Sequence, residues 1–294
     1  MAIETEVASS YEPGTFGSVV LGLVEGLTEF LPVSSTGHLI VTNRLLGGED
    51  PQYEVVIQAG AITAVVVLYH ARLIAALKGM FGRRAASSES GDGVAEPQTN
   101  LFWLLAIASI PAVVIGLSFK DQIEEWLFNP TVVGTTLVVG GFLLLWLERF
   151  LDRREIEPRS IDEIGLVDAF KIGLFQVLAM MPGTSRSGAT IGGALILGYR
   201  RTAAAEFSFL LGLPILYGAC LKQLRDDWDR LTGPLLDDIL IGSIASFIAA
   251  LVIVKPFVRF LERHSFRPFA WYRIVAGIVV LALTFSGYLA TDAA

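Results

Sequence analysis

The sequence predicts an all-α polytopic membrane protein, an inverted-topology repeat of six spanning helices and two re-entrant broken-helix hairpins. Composition is the first ground. The 294 residues are 53% hydrophobic and only 17% charged, with a mean hydropathy of +0.60, too apolar for a water-soluble globule of this length. Six apolar runs near the ~20 residues that cross hydrocarbon are the second. The third is a pair of similar stretches in which ionisable and hydroxyl residues interrupt apolar sequence. Gly22 through His38 and Gly173 through Thr190 each carry an apolar run, a proline, a serine three residues on, and glycine.

The elements follow in chain order. The N-terminal residues lack the basic region of a cleavable signal, so the first apolar run is expected to stay in the protein. Runs at 54–77, 101–118, 131–150, 202–221, 236–256 and 270–290 are the expected spans. Residues 85–98 read as a flexible polar loop. Basic loops mark the cytoplasmic side: Arg72, Lys78, Arg83 and Arg84; Arg149, Arg153, Arg154 and Arg159; Arg259, Arg263 and Arg267. The connection with Asp121, Glu124 and Glu125, and the one with Asp226, Asp227 and Asp229, belong outside. Segment 16–47 must then start and end outside, as a hairpin broken near Pro32. Segment 165–198 starts and ends inside, broken near Pro182-Gly183. Proline removes a donor and clashes with the preceding turn, which suits it to the break. Residues 1–160 and 161–294 thus form two repeats, each a hairpin plus three spans. Three crossings per repeat turn the second copy over.

Ionisable residues are costly in lipid and mark function there. Glu25 and Glu29 stand four apart, on one helix face, and two such carboxylates suit a hard cation, Mg²⁺ or Ca²⁺. Ser34 opens the returning half-helix, where serine usually caps, and it is also expected among the substrate-phosphate-binding residues. Ser35 and His38 are one turn apart, so hydroxyl and imidazole are expected to face each other for nucleophilic and proton-transfer chemistry. Gly183, Thr184, Ser185, Arg186, Ser187 and Thr190 form an expected phosphate cradle: glycine allows close approach, half-helix amides point at an anion, and arginine offers a planar fork. Glu54, Gln58 and Glu206 are expected to anchor the hairpins, with Gln176 in a similar supporting part. His70 and His264 fit interfacial span ends, and the single cysteine, Cys220, fits a small buried hydrophobe. One thiol gives no internal disulfide. Net charge of −7, concentrated in loops and termini, argues against a nucleic-acid partner.

The two motifs, Glu25 through His38 and Pro182 through Thr190, resemble the signatures of the undecaprenyl-diphosphate phosphatase family of the bacitracin-resistance type, and Glu206 through Leu211 is similar as well. Thr184 and the length of the 85–98 loop depart from the family pattern. The resemblance implies a plasma-membrane enzyme that removes the terminal phosphate from a C55-type polyprenyl diphosphate. It further implies an outward-facing site, a divalent metal held at Glu25 and Glu29, and catalytic parts for Glu25, Glu29, Ser35, His38 and Arg186. Covalent phosphoserine and direct water attack both remain open, as does a homodimer. The competing expectation is a lipid-carrier or ion-coupled transporter, since inverted repeats with broken helices also serve transport.

Overall fold

The structure is a computed structural model and describes residues 13–48, 50–81, 100–154, 157–233 and 235–289. The expected loop at 85–98, Arg83, Arg84 and the N-terminal tail lie outside these residues. Among the described residues the chain is helical, with no named strand and a single bridge between Arg159 and Tyr199. The helices are α1 (Gly14–Thr28), α2 (Ser35–Leu46), α3 (Pro51–Leu68), α4 (His70–Phe81), α5 (Leu101–Ser118), α6 (Lys120–Leu127), α7 (Pro130–Leu151), α8 (Leu166–Val177), α9 (Arg186–Ile196), α10 (Arg201–Asp226), α11 (Trp228–Leu231), α12 (Leu236–Leu261) and α13 (Arg267–Phe285). Six of them, α3, α5, α7, α10, α12 and α13, are long and apolar enough to cross a membrane.

Local chemistry sets the boundaries. Asp50 accepts from the amides of Gln52 and Tyr53, Asn100 from Phe102 and Asn129 from Val132, so α3, α5 and α7 each start on a side-chain cap. The expected span at 54–77 is not one helix. It divides at Tyr69, where the His70 ring meets the Val67 carbonyl at 2.8 Å. The expected spans at 202–221 and 236–256 run further, to Asp226 and Leu261, and the last one is shifted to 267–285.

Small residues let backbones close on one another, as membrane helix packing requires. α1 lies against α12 through Gly22 and Gly26, where an added Cβ would collide with the carbonyls of Gly242 and Ser246. α8 lies against α5 through Gly173, whose Cβ would collide with the Ala108 carbonyl. α10 runs through the core, burying Phe207, Phe209, Leu210 and Leu211, and Phe30 meets Phe209 edge to face at 5.2 Å. Glu148, fully buried, ties α7 to α10 through Arg201 at 2.6 Å and accepts from the Phe266 amide at 2.8 Å. Large apolar side chains such as Trp103, Phe142, Trp146, Ile248 and Val275 face outward, as lipid contact demands.

Candidate functional site

Two chain breaks build the site. Residues 29–34 separate α1 from α2, and a short 3₁₀ turn (Leu178–Met180) with residues 181–185 separates α8 from α9. Each break ends on a serine in the same rare conformation. Ser34 has φ 69° and ψ 100°, Ser185 φ 70° and ψ 114°, and they are the only non-glycine residues with positive φ among those described. Such geometry costs about 1–3 kcal/mol per residue and persists only where the surroundings hold it. Ser185 caps α9 by accepting from the Gly188 amide at 3.1 Å. Ser34 occupies the equivalent position with no side-chain bond to its helix; its carbonyl instead meets His38 Nδ1 at 2.7 Å.

The breaks are locked to each other. Ser187 Oγ donates to the Leu31 carbonyl at 2.9 Å. Thr136 Oγ1 on α7 donates to the Pro182 carbonyl at 2.5 Å. Arg273 on α13, only 1% exposed, donates to carbonyls of both breaks: Pro32 at 3.2 Å, Gly183 at 2.9 Å and Thr184 at 2.8 Å, with Thr136 at 3.2 Å beside them. A buried cation satisfied by carbonyl dipoles keeps its charge beside the site.

Between the breaks lies a cavity of about 150 Å³ lined by Glu29, Ser34, Ser35, Gln58, Gly183, Ser185 and Arg186, among others. The N-termini of α2 and α9 both border it, and helix N-termini favour anions. Arg186 donates from Nη2 and Nε to Glu29 Oε1 at 3.1 and 3.3 Å, and from Nη1 to the Ser208 carbonyl at 2.8 Å. Gly212 makes room for that guanidinium, since a Cβ there would stand 2.9 Å from it. Ser35 Oγ donates to the other Glu29 oxygen at 2.7 Å. Glu25, one turn earlier on α1, is fully buried and neither of its oxygens has a hydrogen-bond partner.

The structure thus brings Glu29, Ser34, Ser35, Gln58, Gly183, Ser185 and Arg186 around one space. It separates others from it. Ser35 and His38 do not face each other: Glu29 takes the hydroxyl, and the His38 ring lies between the Ser34 carbonyl and the Tyr272 hydroxyl, 2.5 Å from Nε2. Because a carbonyl only accepts, Nδ1 carries a proton. In the neutral ring Nε2 then accepts from Tyr272. Ser187 and Thr190 are fully buried and spend their hydroxyls on the Leu31 carbonyl and on Ser208 and the Arg186 carbonyl. Thr184 turns its carbonyl to Arg273. Glu54 accepts from Asn43 on α2, so it holds the first hairpin. Glu206 binds Arg72 at 3.1 Å, and neither is among the residues lining the cavity. Gln176 is buried with both amide atoms unpartnered. Cys220 is buried against the Val55 carbonyl. Arg273 joins the two breaks, and Tyr272 binds His38 beside them, without belonging to either motif. The signal for Arg273 was its charge inside an apolar run; Tyr272 carried none.

Six helices long and apolar enough to cross a membrane, with a polar cavity between two chain breaks, define an integral membrane protein with a polar site among its helices. Residues 18–279 match the family model described as bacitracin resistance protein BacA. Undecaprenyl-diphosphatase from Aromatoleum aromaticum is 48% identical over 90% of this chain and 93% of its own length. Undecaprenyl-diphosphatase 1 from Chromobacterium violaceum is 45% identical over 92% and 97%. Undecaprenyl-diphosphatase 2 from Rhodospirillum rubrum is 45% identical over 94% and 97%. The chain belongs to the bacitracin resistance protein BacA family.

Proposed function

We propose that the protein is an integral membrane phosphatase that hydrolyses an undecaprenyl-type diphosphate to the monophosphate and inorganic phosphate, recycling a lipid carrier for cell-envelope glycan synthesis. The observation that carries this is the Arg186–Glu29 pair in a cavity bordered by two helix N-termini. The guanidinium and the amides of the α2 and α9 starts bind phosphate oxygens. Ser35 Oγ is the hydroxyl placed at the terminal phosphorus, either to attack it or to orient a water that does. Glu29, 2.7 Å away, is the acceptor for the proton released. A new P–O bond forms at the terminal phosphorus, the bridging P–O bond breaks, and the bridging oxygen leaves on the prenyl monophosphate; where Ser35 is the attacking group, a water then attacks the phosphoserine phosphorus, the Oγ–P bond breaks, and inorganic phosphate leaves with the Ser35 hydroxyl restored. His38, bound by the Ser34 carbonyl and the Tyr272 hydroxyl outside the cavity lining, positions the start of α2.

A divalent cation, Mg²⁺ or Ca²⁺, suits the residues present. Glu25 offers two buried, unpartnered carboxylate oxygens, and Glu29 a second carboxylate one turn away. Among the described residues no group of three or more His, Cys, Asp or Glu could hold a metal ion. Glu25, fully buried and not among the residues lining the cavity, and Glu29, which lines it, would be the residues to hold the cation. When bound, the cation offsets charge on the diphosphate and on the leaving group.

An inverted repeat of two re-entrant hairpins, 16–47 and 165–198, each followed by three spans, is part of this proposal. Helix partners support it. α1 packs on α12 as α8 packs on α5, while α3 with α10 and α7 with α13 pair across. The matching conformations of Ser34 and Ser185 add to it. Loop charges support an orientation with the basic connections in the cytoplasm; a plasma-membrane location and a site open to the outside follow from the family resemblance.

The decisive test is release of inorganic phosphate from a long polyprenyl diphosphate by purified protein in detergent, with and without chelator. Turnover in detergent, where no gradient exists, separates this reading from a lipid-carrier transporter. Arg186→Ala and Glu29→Ala are expected to insert normally and lose about 10²–10⁴-fold in rate. Wild-type rates from both variants would overturn the assignment.

A further inference from the structure

A second cavity, about 540 Å³ and lined almost wholly by apolar atoms, runs between α5, the 3₁₀ turn after α8, and α10. Its size lies within the ~300–1,000 Å³ of ordinary ligand pockets. It adjoins the polar cavity: Ala179, Arg186 and Leu216 line both. One wall is α5, with Val113, Gly116 and Leu117; opposite it, Pro214, Gly218 and Lys222 recur at four-residue spacing on an exposed face of α10. From Pro214 to Lys222 the groove follows α10 for ~12 Å. Small residues hollow it: a Cβ added at Gly218 meets nothing within 4 Å. Gln176 lines it with both amide atoms buried and without a partner.

We infer that this groove seats the head-proximal isoprene units of the polyprenyl chain while the diphosphate occupies the polar cavity. The inference rests on the phosphatase reading above. Arg186, shared by the two spaces, fits the junction between an anionic head and an apolar tail. A hydrocarbon chain with one anionic end matches a groove whose walls are mainly apolar from Arg186, where it adjoins the polar cavity, to Lys222 at its far end. An ordinary acyl chain would match the apolar walls but has no reason to continue into the Arg186 cavity.

The experiment compares phosphate release from a C55 polyprenyl diphosphate and from dimethylallyl diphosphate, whose single isoprene unit leaves most of the groove empty. Gly218→Phe fills the open space beside α10, and Gly218 is not among the residues lining the polar cavity. The expected result is that kcat/KM for the long substrate falls about tenfold or more, through KM, while the value for the short one stays near wild type. An unchanged ratio between the substrates would overturn the groove and leave the phosphatase reading standing. Absence of release from both substrates by the wild-type protein would overturn both. If Gly218→Phe does not purify as a folded protein, Val113→Trp on the α5 wall takes its place under the same criteria. An equal loss on both substrates in that variant also counts against the groove.

Discussion

At the scale of single residues, the site depends on side chains whose partners are fixed and few. Glu29 receives Arg186 on one oxygen and Ser35 on the other. Glu29→Gln keeps the shape and one acceptor but loses the charge, so phosphate release is expected to fall by at least about 10²-fold with insertion and folding retained. Arg273 presents a different case. Arg273→Met leaves carbonyls of Pro32, Gly183 and Thr184 without a donor in a buried setting. Each orphaned carbonyl costs about 1–3 kcal/mol, so a loss of roughly 3 kcal/mol or more in stability is expected, measured by thermal unfolding in detergent. Most of the cavity residues were legible from sequence, because carboxylates, hydroxyls and an arginine in apolar runs are expensive unless used. The Ser35–His38 pairing was not. One helical turn brings two side chains onto a face, but Glu29 sits across the break and outcompetes the imidazole for the hydroxyl. Sequence spacing on one helix carries no information about what a preceding helix end presents.

At the scale of elements, the two breaks behave as a matched pair with unequal support. Ser185 is held by its own cap on Gly188, while Ser34 makes no side-chain bond to α2. Ser34→Gly removes a side chain from a positive-φ position and is expected to stabilise the fold by about 1 kcal/mol. Ser185→Ala keeps the strain, loses the cap and is expected to destabilise by a similar amount. Unfolding midpoints of the two variants moving in the same direction would contradict this account. The breaks themselves were legible, since Pro32 and Pro182-Gly183 announce them. The division at Tyr69 was not. No proline or glycine stands there; at the division Tyr69 leaves helical geometry and the His70 ring meets the Val67 carbonyl. The close contacts at Gly22, Gly26 and Gly173 were visible as glycines, yet their partners α12 and α5 lie far along the chain and could not be read from local pattern.

At the scale of the whole molecule, hydropathy and loop charge supplied the class and the number of long apolar helices, because the hydrocarbon imposes length and composition directly. They supplied no packing order. The proposed orientation makes a direct prediction. A cysteine introduced at Asp229 is expected to react with a membrane-impermeant thiol reagent applied to intact cells, and one at Arg263 to react only after permeabilisation. Cys220, buried, should stay silent in both cases. Labelling at Arg263 from outside would reverse the topology and with it the outward-facing site.

Arg273 also bears on whether the chain can be divided. Its carbonyl partners come from residues 32, 136, 183 and 184, so they straddle any cut near residue 160. Neither fragment of a split gene would own a finished anion pocket, and each would bury a lone guanidinium or strand its acceptors. Under the proposed repeat, residues 1–160 and 161–294 complete one another at Arg273, and co-production of both is expected to be needed for a folded protein.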